Sequence, residues 1–110
     1  MKLMITGSRS ITDFSLEKYI PNDVELIISS GATGIDTLAE KYADEHKISK
    51  LILRPNHYKY GNIADLMLNA EMVKLADCVL IVENEKSEET KEVIERVNKS
   101  LKPVTVVTVK

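Results

Sequence analysis

The apolar residues of this chain gather into five short runs. These are Leu3-Met4-Ile5, Leu26-Ile27-Ile28, Leu51-Ile52-Leu53, Cys78-Val79-Leu80-Ile81-Val82 and the segment from Val104 to Val109. The first four are continuous rather than alternating, the pattern of strands covered on both faces in a parallel sheet. The fifth mixes Thr105 and Thr108 with valines, which places it at a sheet edge. Helical periodicity fills the gaps. Leu16, Tyr19 and Ile20 predict a short first helix, stopped by Pro21. Ile35, Leu38, Ala39, Tyr42 and Ala43 lie on one face of a second helix, and Val93, Ile94, Val97 and Leu101 on one face of a fourth.

The third helix, over about 62–75, is apolar nearly all round: Ile63, Ala64, Leu66, Met67, Leu68, Met72, Val73 and Leu75. A helix of this kind is buried on several sides or packs on a partner subunit. The two-fold dimer is the commonest assembly, so a homo-oligomer through residues 62–75 is expected. Strands alternating with helices predict right-handed βαβ units and a three-layer α/β sandwich with a five-stranded, mainly parallel sheet. Periodicity leaves the strand order open between 2-1-3-4-5 and 3-2-1-4-5.

Composition narrows the class. The 110 residues suffice for one domain, 1–110, and not for two. With 44% apolar residues the chain can offset its folding entropy, which excludes disorder as the main state. Fifteen Lys+Arg against 17 Asp+Glu leave a net charge of −2, so no broad basic field points to nucleic acid. The single cysteine, Cys78, excludes an internal disulfide and a cysteine-cluster zinc site, and its place inside a strand marks it as a small core residue. His46 and His57 lack metal-ligand spacing. No run approaches the roughly 18 apolar residues of a membrane helix. Strand-like sequence from Lys2 leaves no room for a signal peptide, so a cytoplasmic protein is expected.

Ligands of open parallel sheets bind beyond the carboxyl ends of the strands, where strand order reverses. Four loops qualify. The first, Thr6-Gly7-Ser8-Arg9-Ser10, offers a tight turn, a hydroxyl and a guanidinium fork suited to phosphate or carboxylate. It reads equally well as a turn followed by a solvated arginine. It carries neither the glycine pattern of dinucleotide folds nor that of P-loops.

The second, Ser29-Ser30-Gly31-Ala32-Thr33-Gly34-Ile35-Asp36, joins a strand directly to a helix. Its small residues let a phosphate approach the helix N-terminus. As a simple turn it would use Thr33 as N-cap and Asp36 in the first helical turn, and both descriptions can hold together. The third, with Pro55, His57, Tyr58, Tyr60 and Gly61, lies outside the predicted helices. Its tyrosines can stack on a base, and at least one is expected to pin the loop to the core. The fourth, Glu83 to Thr90, has Ser87 as an N-cap, and the hydroxyls of Ser87 and Thr90 can reach a phosphate. Its four glutamates would repel one.

Gly7-Ser8-Arg9, Gly31-Ala32-Thr33-Gly34-Ile35-Asp36, Asn69-Ala70-Glu71-Met72-Val73 and Thr90 occur in this order on successive elements. Together they resemble the small, single-domain YspA-like (YpsA-related) branch of the SLOG superfamily, over Met1 to about Val107. That superfamily is Rossmann-like and includes the LOG phosphoribohydrolases and the DNA-processing protein DprA. The resemblance favours the order 3-2-1-4-5 and implies a pocket for a nucleotide or nucleotide-derived ligand, ADP-ribose-like or NAD-like. Gly7, Ser8 and Arg9 would line it, and Ser30, Gly31, Ala32, Thr33 and Gly34 would form the phosphate loop. Asp36 would support that loop or a ribose. Asn69 would enter from the third helix, and Ser87 and Thr90 from the fourth.

The chain departs from the family at informative positions. It has Ser30-Gly31 where this branch usually has Gly-Gly, Leu68-Asn69 for Arg-Asn, and Glu89-Thr90 for Gly-Thr. In the LOG enzymes an arginine and a glutamate perform the chemistry at the positions held here by Leu68 and Val93. Neither can donate to or accept from a reacting sugar. The expectation is therefore a binding module for a nucleotide-derived small molecule, acting as sensor or carrier, with no catalytic residue, metal or cofactor assigned. A nucleotide N-glycosidic hydrolase using Asp36, Glu71 or Glu92 is the alternative from a second class. A homo-oligomeric interaction domain with a vestigial pocket is the third.

Overall fold

The computed structural model describes residues 1–84 and 87–109. Five strands, β1 (Lys2–Gly7), β2 (Leu26–Ser29), β3 (Ser49–Ile52), β4 (Cys78–Glu83) and β5 (Val104–Thr108), form one sheet in the order β3-β2-β1-β4-β5. Every neighbouring pair is parallel. The order is thus 3-2-1-4-5, and 2-1-3-4-5 drops out. β1 is central: Met4 is in register with Ile28 on one side and Val79 on the other.

Helices α1 (Ile35–Glu45), α3 (Ala64–Leu75) and α4 (Glu88–Lys99) cover the sheet, and α2 (His57–Tyr60) is a single turn before α3. Side chains of a strand alternate between faces. Leu3, Ile5, Ile27, Leu80 and Val82 meet Ile35, Ala39 and Ala43 of α1 in one buried cluster. Met4, Ile28, Val79 and Ile81 meet Leu68, Met72 and Val73 of α3 and Val93 and Val97 of α4 in the other. Three layers result.

Three sequence expectations need correction. The first helix shrinks to a 3-10 turn at Glu17–Tyr19, because the few residues before Pro21 cannot offset helix nucleation. Leu16 and Ile20 are buried nonetheless and cap the α1 side of the core. β3 is not covered on both faces. It is an edge strand in which Ser49 and Lys50 are exposed and Leu51 and Ile52 only half-buried. The third loop contains a helical turn, α2, capped by Asn56, whose side-chain oxygen accepts from the Lys59 amide at 3.0 Å. Tyr58 in that turn is fully exposed and pins nothing.

Candidate functional site

The chain leaves β1 toward β2 and later returns, through α3, to place β4 on the other flank of β1. The loops after β1 and β4 therefore diverge and leave a crevice at the carboxyl ends of the strands. A cavity of about 400 Å³ opens there. Its walls are the β1 loop from Thr6 to Ser10, Ser30 and Ala32 after β2, Asp36 of α1, Asn84 after β4, and Ser87, Glu89, Thr90 and Val93 at the start of α4. A recess of about 190 Å³ shares Thr6, Arg9, Ser30, Ala32 and Glu89 with it and extends to Arg54, Pro55, Asp65, Leu68 and Asn69.

Backbone and hydroxyl groups fix these loops to one another. The Ser8 amide donates to the Val82 carbonyl at 3.0 Å, and the Asn84 amide donates to Ser8 Oγ at 3.0 Å. Asn84 Nδ2 donates to Ser10 Oγ at 2.7 Å, so the β1 and β4 loops are joined twice. The Ser8 carbonyl accepts the Ile35 amide at 3.3 Å, which brings the β1 loop against the start of α1. Gly34 makes this approach possible. Its φ is +79°, and a Cβ there would overlap the Ser8 carbonyl oxygen. Gly34, not Thr33, occupies the N-cap position of α1; Thr33 is exposed. At α4 the sequence expectation holds: Ser87 is the N-cap, accepting from the Thr90 amide at 3.1 Å and donating to Thr90 Oγ1 at 3.0 Å.

Asp36 is the electrostatic centre of the cavity wall. It is 2% exposed, in the first turn of α1. Its Oδ2 accepts from the Ser30 amide at 3.3 Å and, at close range, from the Ser30 hydroxyl. Burial pushes its carboxyl up to about 6, against the opposing effect of the hydrogen bonds from Ser30 and Ala32, and the negative charge of Glu89 adds to the rise. Asp36 therefore braces the β2–α1 loop from inside. Glu89 faces the same space and accepts from Asn69 Nδ2 at 3.5 Å, linking α4 to α3.

Of the residues singled out in the sequence, Gly7, Ser8, Arg9, Ser30, Ala32, Asp36, Ser87 and Thr90 line the main cavity. Asn69, buried in α3, lines the recess. Gly31, Thr33 and Gly34 line neither; the two glycines shape the loop from behind. Leu68 lines the recess and Val93 the cavity, so the two apolar residues singled out by the resemblance face the candidate site. The acids of the hydrolase alternative are scattered. Glu71 borders a separate cleft on α3, and Glu92 is ion-paired with Arg96 at 2.5 Å.

Sequence reasoning missed Asn84 and Ser10, which couple two loops, and Arg54 in the loop after β3. Glu83, read as a loop residue, closes β4 with 1% exposure, and its Oε2 has no hydrogen-bond partner among the described residues. Of the four glutamates weighed in the fourth loop, Glu85 lies, with Lys86, outside the described residues. Among the described residues no cluster of three or more His, Cys, Asp or Glu side chains could hold a metal ion. No helix there is long and apolar enough to cross a membrane.

Comparison with known proteins leaves the site to be read from its own geometry: no family model, no curated protein and no solved structure matches this chain.

Proposed function

We propose that the crevice between the β1, β2 and β4 loops binds a phosphate-bearing, nucleotide-derived small molecule without transforming it, and that the chain is a single-domain SLOG-like sensor or carrier. The observation that carries this is the cavity of about 400 Å³ at the reversal of strand order, walled mainly by small and hydroxyl-bearing residues and by Arg9, with the carboxylates Asp36 and Glu89 on its α1 and α4 sides. Such a wall lets a phosphate approach backbone amides while an arginine fork holds its oxygens. Asp36 borders the cavity with its Oδ2 held by the Ser30 amide and hydroxyl, so its carboxyl is tied to bracing the β2–α1 loop. The apolar Leu68 and Val93 contribute shape and no proton transfer.

A thermal-shift panel of NAD, ADP-ribose, AMP and cyclic nucleotides tests the proposal. A ligand at 100 times its Kd adds about 2.7 kcal/mol to stability, a readily measured rise in Tm. No shift with any of them at millimolar concentration would remove the nucleotide assignment, and release of free base from a bound nucleotide would move the protein to the hydrolase class.

A second property is proposed from one specific observation. Ile63, Leu66, Met67 and Leu75 are 38–51% exposed on and beside the outer face of α3, an unusual concentration for a solvated helix. A homodimer through α3 would cover them. Light scattering at high concentration is expected to exceed the 12.4 kDa of one chain, and a mass equal to it overturns the dimer.

A further inference from the structure

The recess beside the main cavity has an electrostatic property that the loop motifs do not reveal. Two guanidinium groups border it, Arg9 from the β1 loop and Arg54 from the loop after β3. Both side chains are exposed, and among the described residues neither makes an ion pair. Two carboxylates, Asp65 and Glu89, border the same recess, yet each is drawn to another partner. Asp65 lies 4.0 Å from His57 Nε2, and Glu89 accepts from Asn69. Those contacts leave the carboxylates their charge, so what the recess offers an anion is two unpaired guanidinium forks rather than a net positive field.

Arg54 is also positioned by the backbone. Gly31 has a φ of +74°, and a Cβ at that position would come within 3.0 Å of Arg54 Cζ and Nη2. The guanidinium thus rests directly on the bare backbone of the β2–α1 loop. Leu68 of α3, at the position where the resemblance places an arginine, borders the recess without contributing charge. The cation comes from the loop after β3 instead.

We propose that this recess is a second anion subsite, and that Arg54, with Arg9, holds in it the second phosphoryl group of a diphosphate-bearing ligand. This rests on the nucleotide-binding proposal for the main cavity. The two spaces share Thr6, Arg9, Ser30, Ala32 and Glu89 as a common wall, so groups in them are immediate neighbours, as the two phosphorus centres of a diphosphate are. A planar guanidinium fork matches the oxygens of a phosphoryl group in pairs, which a lysine ammonium does not. Arg54 is accordingly a specificity-determining residue: it selects diphosphates over monophosphates while contributing little to the first phosphate.

The test is calorimetric titration of AMP and ADP into the wild-type chain, Arg54→Gln and Lys99→Gln. Lys99 is paired with Glu95 on α4, outside both spaces, and controls for net charge. The wild type is expected to bind ADP at least about tenfold more tightly than AMP. Arg54→Gln should lose that preference, with AMP affinity changed by less than about twofold, and Lys99→Gln should retain it. Arg54 is exposed, so its variant should keep the wild-type circular dichroism and Tm. Equal affinity of the wild type for AMP and ADP overturns the subsite and leaves the main cavity standing. So does an Arg54→Gln variant that loses AMP and ADP affinity in the same proportion. If neither nucleotide binds, the nucleotide proposal fails and the subsite falls with it.

Discussion

Replacing Asp36 by asparagine isolates the buried carboxyl on which the β2–α1 loop is built. The asparagine side chain has the same shape and keeps an oxygen that can accept from the Ser30 amide and hydroxyl, but it cannot ionise. In the folded chain the Asp36 carboxyl titrates near 6 instead of its ordinary 3.8, with burial as the main cause. The folded state therefore holds this proton more tightly than the unfolded state does. Below pH 3.8 both states are protonated, and the carboxyl costs nothing in charge. Between pH 3.8 and about 6 the unfolded state is ionised first, and stability falls as pH rises. Above about pH 6 the loss is complete.

At about 1.4 kcal/mol per tenfold difference in proton affinity, that loss is about 3 kcal/mol. Asp36→Asn should escape it. Urea unfolding of both proteins from about pH 4 to pH 8 should show the variant gaining relative stability up to about pH 6 and holding the gain above it. With an m-value of about 2 kcal/mol/M, the relative midpoint should move by about 1.5 M. A difference between the two proteins that stays constant across that range would refute the assignment of a buried, high-titrating Asp36.

Two glycines should respond differently to alanine. Gly61 has positive φ but nothing within 4 Å of a new Cβ, so Gly61→Ala should cost only backbone strain, about 1–3 kcal/mol. Gly34→Ala adds overlap with the Ser8 and Arg9 backbone and should lower Tm well beyond the Gly61 variant in calorimetry; equal losses would contradict the packing of the β1 loop on α1. Ser87→Ala removes the N-cap of α4 and should cost about 1 kcal/mol, seen as a fall of about 4–8 °C in Tm; an unchanged Tm would show that the cap is not formed in solution.

The strands and longer helices were legible because each is stamped by burial. Val79 to Val82 are buried without a break, and Ile35, Ala39 and Ala43 follow the helical repeat. β3 misled because Leu51 and Ile52 look like core residues, while their place at the sheet edge depends on which strands lie beside them. Strand order was beyond periodicity for the same reason: a residue pattern records that a face is covered, not by which neighbour. Much of the cavity wall was readable, since hydroxyl residues directly after a strand, such as Ser8 and Ser30, and at a helix N-cap, such as Ser87, carry a local meaning. Asn84 was not, because its role comes from Ser10, 74 positions away. Arg54 follows a leucine run as an ordinary polar flank, and only the packing of β3 beside β2 brings it onto Gly31. Thr33 was the reverse case, a suitable capping residue displaced by Gly34 because the β1 loop needs that space.

Amide chemical-shift mapping tests the central claim most directly. Uniformly 15N-labelled protein is titrated with AMP at constant pH and ionic strength. Binding in the crevice predicts saturable shifts in the amides of Ser8 to Ser10, Ser30 to Asp36, Asn84 and Ser87 to Thr90, with little change at distant sites such as Lys41 or Lys99. Shifts confined to other surfaces, or none at millimolar AMP, would contradict it.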